Sequence, residues 1–285
     1  MLPKCAPAAA GFDGPAASED WPRRRWLAGA LGLGAAAAGL GGCASAPPAG
    51  EPHSDAVAEP VPAPQVVPFS EAVPGQPPAG WRPYALRRDL TRTRYTVVRD
   101  GDRRVLNARA SASATGLRCA VQIDPAEQGQ LQFSWRVREV APQADVSEAV
   151  LDDCPARLIL AFDGDQTRLS LRDRLFFDQV ELFTGQRLPY ATLMYVWDGG
   201  RHAVESVHRN HRTSRIQYLT VESGGQRAGR WLHYQRDVVA DFRRVYGEAP
   251  GTIIGVGVLT DADALKLQLE AWYGDITLAG QAGRS

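Results

Sequence analysis

Leu131–Val140, LQFSWRVREV, is the stretch whose reading decides the fold. Leu131, Phe133, Trp135 and Val137 fall on one side, while Gln132, Ser134, Arg136 and Arg138 fall on the other. That period of two marks a strand with one face buried and one face wet. Outward from it, RYTVVRDGDRRVLNARA holds two β-rich runs around Asp100-Gly101, a hairpin signal. LRCAVQI, ARLILAF, ATLMYVW, SRIQYLTVES, RWLHYQ, TIIGVGVL and AWYGDITL continue the series of short strands. Two segments depart from it. TRLSLRDRLFFDQVELF places Leu171, Leu175 and Phe176 at helical spacing, although Leu169 also permits a strand start. RDVVADFRRVYG sets Val238, Val239, Phe242, Val245 and Tyr246 on one helical stripe and stops at Gly247. About ten strands with one or two helices outside them predict a mainly β sandwich, one domain over residues 69–285.

Ahead of that body stands RRRWLAGALGLGAAAAGLGGCASAPPAG, beginning at Arg23. Its apolar run, Trp26 to Gly42, is too short and too rich in glycine to cross a hydrocarbon core of about 30 Å. A charged segment, an apolar run and then small residues is the layout of an export signal. Arg23, Arg24, Arg25, Trp26 and Leu27 resemble the twin-arginine signal, with Pro22 and Ala28 departing from its usual pattern. A general secretory signal is the alternative. Leu40, Gly41, Gly42 and Cys43 resemble the bacterial lipobox, in which the cysteine sulfur takes a diacylglyceryl group and the chain is cut before it. A plain signal that happens to contain a cysteine is the alternative there. Each buried acyl methylene contributes about 0.8 kcal/mol, so several chains anchor a protein permanently. Ala44 after the cysteine points to the outer membrane. The resemblance implies a signal over 1–42, a lipidated Pro/Ala-rich linker over 43–68, and an exported, periplasm-facing lipoprotein. ASAPPAGEPHSDAVAEPVPAPQVVP has no apolar period and reads as an extended spacer.

The whole chain carries 32 basic and 32 acidic residues. Without Lys4, Arg23, Arg24, Arg25 and Asp13, Glu19, Asp20 the balance is 28 against 29, which gives no general attraction to nucleic acid. Of four cysteines, Cys5 lies in the signal and Cys43 is the acylation residue, leaving Cys119 and Cys154. An even pair in an oxidising compartment suggests a disulfide, worth roughly 3–4 kcal/mol in the chain-entropy model; two buried thiols are the alternative.

VLNARASASA, LQFSWRV, DDCPARLILAFDG, LPYATLMYVW, DFRRVYGEAP, TDADAL and AWYGDI follow, in order, the landmarks of the bacterial DUF3047 family, which the body therefore resembles over nearly all of Phe69 to Leu278. That family is named for having no assigned function. Cys154 stands where its pattern suggests an aromatic residue. The opening PFSEAVPGQPPAGW and the closing YGDITL are also similar to the first and last strands of galactose-binding-like jelly rolls, implying a jelly-roll-like sandwich and, in many such modules, sugar binding.

Catalytic signatures are sparse. No G-x-S-x-G, H-E-x-x-H, P-loop or dinucleotide fingerprint occurs. His208 and His211 sit three apart in HRNHR, flanked by arginines that oppose a cation. Asp261 and Asp263 alternate in LTDADAL and present two carboxylates to one hard cation such as structural calcium, with Asp275 a further candidate; a turn capped by aspartates is the plainer reading. Asp152-Asp153 precede Arg157, an arrangement that suits a structural charge-assisted pair; the alternative is an acid and base of the glycosidase kind, drawn from carboxylates such as Asp153, Asp163 or Asp261. Trp135, Tyr195, Trp197, Trp231, Trp272 and Tyr273 all lie on strands, and an exposed ring stacks on a sugar. Trp135 reads as core; Trp197, at a strand end before DGG, reads as the ring with the better access. The ligand-binding candidates are thus Arg157, Asp163, Tyr195 and Trp197. Three functions compete: a non-catalytic module for carbohydrate or another envelope component, an envelope glycan hydrolase using paired carboxylates, and a structural partner of an envelope protein.

Overall fold

The computed structural model describes residues 61–84 and 91–280. Arg23, Arg24, Leu27, Leu40, Gly41, Gly42 and Cys43 lie outside the described residues. Thirteen strands and two α-helices are present among those described. The strands are β1 (Trp81–Tyr84), β2 (Arg94–Asp100), β3 (Arg103–Ser111), β4 (Gly116–Ile123), β5 (Gln130–Val137), β6 (Cys154–Phe162), β7 (Ala191–Asp198), β8 (Val207–Arg209), β9 (Ile216–Ser223), β10 (Leu232–Asp237), β11 (Ile253–Asp261), β12 (Gln268–Tyr273) and β13 (Thr277–Ala279). The helices are α1 (Leu171–Thr184) and α2 (Val238–Tyr246), and neither is long and apolar enough to cross a membrane. One sheet has the order β1-β4-β11-β6-β7-β9-β8 and the other β10-β5-β12-β3-β2, with β13 continuing beside β5. Pairing is antiparallel except between β7 and β9.

The alternation in β5 sets the sandwich. Leu131, Phe133, Trp135 and Val137 are all at most 4% exposed. They meet the other sheet ring to ring: Trp135 lies 6.2 Å from Trp197 and Phe133 6.0 Å from Tyr195, centroid to centroid. Leu158, Leu160, Phe162, Leu193, Val256 and Val258 fill the remainder of that layer. Truncating any one of these aromatic rings to alanine typically costs about 3–5 kcal/mol. The β2–β3 hairpin closes as read, with Asp100 opposite Arg103 and Gly101 at φ 59, the left-handed geometry a two-residue turn requires.

Both helices are capped at each end. Asp237 accepts the Ala240 amide at the start of α2, and Gly247 ends it at φ 73. Val238 and Phe242 bury the predicted stripe, with Phe242 against Phe162 at 4.6 Å. In α1 the helix forms but turns a different face inward. Asp173 and Phe177 are its buried residues, whereas Leu171 is 66% and Leu175 60% exposed. The cause is polar: the Asp173 carboxylate is held by Thr213 and Ser214, which rotates the 173/177 face toward the body.

The disulfide expectation is overturned. Cys119 and Cys154 are both free and buried. They lie on strands separated by β11, Cys119 opposite Val256 and Cys154 opposite Asp261. That offset of five residues is about 17 Å along the sheet, far beyond the Cα spacing of about 6 Å that a bridge needs. Cys119 faces the sandwich core, while Cys154 belongs to a separate cluster with Val146, Val196, Ile216 and Tyr218.

Candidate functional site

Because Trp135 and Tyr273 point into the core, their chain neighbours Arg136 and Trp272 point out. Register then aligns them. Trp272 is opposite Arg136 on one side and Asn107 on the other, and Asn107 is opposite Thr96. Leu232 is opposite Trp135, so Trp231 comes beside Arg136. The result is one row across the outer face of the β10-β5-β12-β3-β2 sheet: Trp231, Arg136, Trp272, Asn107, Thr96.

The row is a ladder of stacked cations and rings. The Arg136 guanidinium lies 4.3 Å from the Trp272 centroid and 5.3 Å from that of Trp231, and Arg103 lies 4.7 Å from Trp231. Such contacts contribute about 0.5–1 kcal/mol each where exposed. Asp100 ties the ladder to the β2–β3 turn: Trp231 Nε1 donates to Oδ2 at 2.6 Å and Arg136 Nη2 to Oδ1 at 3.2 Å. One row further along, buried Glu270 accepts from Asn107 Nδ2 at 3.1 Å and Arg109 Nε at 2.8 Å, and pairs with Arg138 at 2.9 Å. Burial opposes its ionisation, but those donors and charges outweigh burial and hold the carboxyl below its usual range. Both indoles are half-buried, with surface left to a ligand. Beside the ladder is a cleft of about 400 Å³ lined by Ser70, Arg103, Arg104, Ser134, Gly274 and Asp275, among others.

A second polar cluster sits at the start of β6. Arg157, 2% exposed, donates through Nη2 to the Asp152 carbonyl and carboxylate, each at 2.8 Å, and lies 3.2 Å from Asp261 Oδ2. Asp153 accepts the amides of Ala264 at 2.8 Å and Leu265 at 3.0 Å, pinning the loop after β11. One oxygen from each of Asp153, Asp261 and Asp263 falls within 4.8 Å of the others. Burial pushes the carboxyls of Asp152, Asp153 and Asp261 up, and Asp261 well up despite Arg157, since Asp152 and Asp263 crowd it.

The sequence candidates therefore divide. Arg157, Asp261 and Asp263 come together. Asp275 does not join them: it accepts from Ser70 N at 2.9 Å and Ser70 Oγ at 2.5 Å in the cleft by the ladder. Asp163 follows the far end of β6, about 30 Å from Asp153 by strand rise, where its Oδ1 accepts the Gly164 amide. Trp197 and Tyr195, expected to be available to a ligand, are fully buried instead. Trp197 donates to the Gly224 carbonyl at 3.0 Å and Tyr195 to Asp241 at 2.9 Å, so both polar tips are satisfied inside. His208 and His211 do not pair as metal ligands; the His208 ring lies 3.8 Å from that of His202, tilted by 41°, and its Nε2 meets Ser206 Oγ at 2.9 Å. The ladder itself was missed as a unit, although parity carried the signal: Trp272 adjoins Tyr273, and Trp231 adjoins Leu232, so in each pair one residue has to face out.

No curated protein matches the sequence. Among solved structures, the family 30 carbohydrate-binding module of a cellulosomal cellulase of Clostridium thermocellum is similar at 12% identity, with 76% of this chain and 98% of that one covered and a TM-score of 0.36. An arabinose-bound α-L-arabinofuranosidase matches at 9% identity over 75% of this chain and 25% of its own, with a TM-score of 0.36. A xyloglucanase domain of a Sinorhizobium fredii type three effector, in complex with cellobiose, matches at 6% identity over 71% and 97%, with a TM-score of 0.34. The family model for DUF3047, a protein family of unknown function, spans residues 79–277, and the chain belongs to that family.

Proposed function

We propose that this chain is a non-catalytic binding module of the cell envelope, lipid-anchored at Cys43, which takes carbohydrate on the outer face of the β10-β5-β12-β3-β2 sheet. The observation that carries the reading is the Trp231–Arg136–Trp272 row beside the 400 Å³ cleft. Indole faces stack on the C–H faces of a sugar ring, while arginine, asparagine and carboxylate groups bond its hydroxyls. Arg103, Asp100, Asn107, Arg109 and Arg138 supply those groups within one or two rows. Binding is favoured over hydrolysis because Asp153 has both oxygens held by backbone amides and Asp163 lies at the opposite end of its strand.

The test is a glycan array probed with the full chain and with Trp272→Ala. A saccharide bound by the former and lost by the latter supports the reading; no saccharide, or binding untouched by Trp272→Ala, defeats it. The anchor has its own test. Cys43→Ala abolishes labelling by a palmitate analogue, and persistent labelling refutes it. A second reading, partnership with another envelope protein, draws on α1, whose outward Leu171, Leu175, Leu182 and Phe183 are 60–80% exposed.

A further inference from the structure

The cluster at the start of β6 holds more negative charge than its protein partners neutralise. Among the described residues, Asp152, Asp153, Asp261 and Asp263 face a single guanidinium, Arg157. Asp153 and Asp261 are 1% and 8% exposed, so water offers them little compensation. Asp152 Oδ1 takes the Arg157 donor, Asp153 takes two backbone amides, and Asp261 Oδ2 lies against Arg157. Asp261 Oδ1 is buried and accepts from no donor among the described residues. A buried carboxylate oxygen without a donor is costly and rare in a native fold. Its nearest acidic neighbours make the need sharper, since carboxylate oxygens of Asp153 and Asp263 lie within 4.8 Å of one of its own.

We infer that Asp153, Asp261 and Asp263 bind a divalent cation of the calcium class. The three side chains come from two segments of one sheet end: Asp153 immediately precedes β6, Asp261 ends β11, and Asp263 follows in the loop. All donors are hard oxygens, with neither sulfur nor imidazole in the group, which selects calcium or magnesium over zinc and copper. Calcium takes six to eight oxygens in an adaptable geometry, and water with loop carbonyls completes such a shell. Magnesium demands a near-ideal octahedron, to which two fixed buried carboxylates and one half-buried one are poorly suited. The cation removes the need for a donor at Asp261 Oδ1. It also fastens the Asp261–Leu267 loop, already laced to Asp153 through Ala264 and Leu265, to the start of β6. The site lies on the sheet opposite the tryptophan ladder, so it stands or falls independently of sugar binding.

Thermal unfolding of the full chain in EDTA, in calcium and in magnesium tests it, with terbium luminescence as a second readout excited through nearby aromatic rings. Saturating calcium raises the midpoint by about 5–10 °C and magnesium by less. Asp263→Asn, at the half-buried position, weakens calcium and terbium binding at least tenfold. Asp261→Asn melts above the native chain in EDTA, because one crowded charge is gone, and no longer responds to calcium. Asp163→Asn, at the far end of β6, responds like the native chain. The inference is overturned if neither calcium nor terbium binds the native chain, or if Asp263→Asn leaves the calcium response unchanged.

Discussion

Asp173→Asn probes the feature that orients α1. The native carboxylate accepts from Thr213 Oγ1 at 2.6 Å and Ser214 N at 2.8 Å through Oδ1, and from Ser170 Oγ at 2.7 Å and Ser214 Oγ at 2.8 Å through Oδ2. Burial opposes its charge, but these four donors outweigh burial and bring the carboxyl from 3.8 to about 2. A folded value below the unfolded one stabilises the protein above the unfolded value, and that stability is lost as pH falls through 3.8 toward 2. A gap of nearly two units corresponds to roughly 2 kcal/mol. The amide keeps the shape but offers only one acceptor oxygen, so Asp173→Asn loses about 2 kcal/mol at pH 7. Urea unfolding followed by tryptophan fluorescence from pH 7 to pH 2 reads the difference between the two chains. It holds steady to about pH 4 and closes toward pH 2. A difference that is absent at pH 7, or one that stays constant down to pH 2, refutes the reasoning.

Three further outcomes follow from the packing. A Cβ at Gly251 would sit 2.2 Å from the Asp163 carbonyl oxygen, a backbone atom that cannot swing aside, so Gly251→Ala costs about 1–3 kcal/mol; an unchanged thermal midpoint would contradict the contact. Burial, followed by the charge of His202, holds the His208 imidazole below its usual range, with Asp198 and Asp145 partly opposing. A depressed histidine makes stability fall as pH drops below about 6.5, and His208→Gln flattens that fall; an unchanged slope would dismiss the role. Cys119 and Cys154 both become alkylated after denaturation without reductant, and a cross-linked peptide in the mass spectrum would restore the bridge.

The sandwich was legible because β strands write their burial into alternate residues. LQFSWRV predicted the four core residues of β5, and the stripe ending at Gly247 predicted α2. What escaped depended on partners distant in sequence. β1 and β8 are three or four residues long and owe their extended state to β4 and β9 rather than to their own pattern. The AWYGDITL run breaks between β12 and β13, where the Gly274 amide donates to the Ser134 carbonyl and Asp275 turns to Ser70. In α1 apolar spacing pointed to Leu171 and Leu175, and a polar anchor at Asp173 prevailed. Two of the three carboxylates of the acidic cluster, Asp261 and Asp263, were visible as neighbours. Asp153 joins them only through the β6–β11 register, 108 residues away in sequence. Trp197 was read as accessible from its place at a strand end, but parity with Tyr195 directs both rings to the core.

The central claim is that ligand meets the protein at Trp231 and Trp272. Indole Nε1–H resonances of Trp135, Trp197, Trp231 and Trp272, followed by NMR while a saccharide recovered from the array is added, test it residue by residue. Trp231 and Trp272 shift in a saturable manner while Trp135 and Trp197 in the core stay in place. Saturable binding that leaves both Trp231 and Trp272 unmoved would contradict the account.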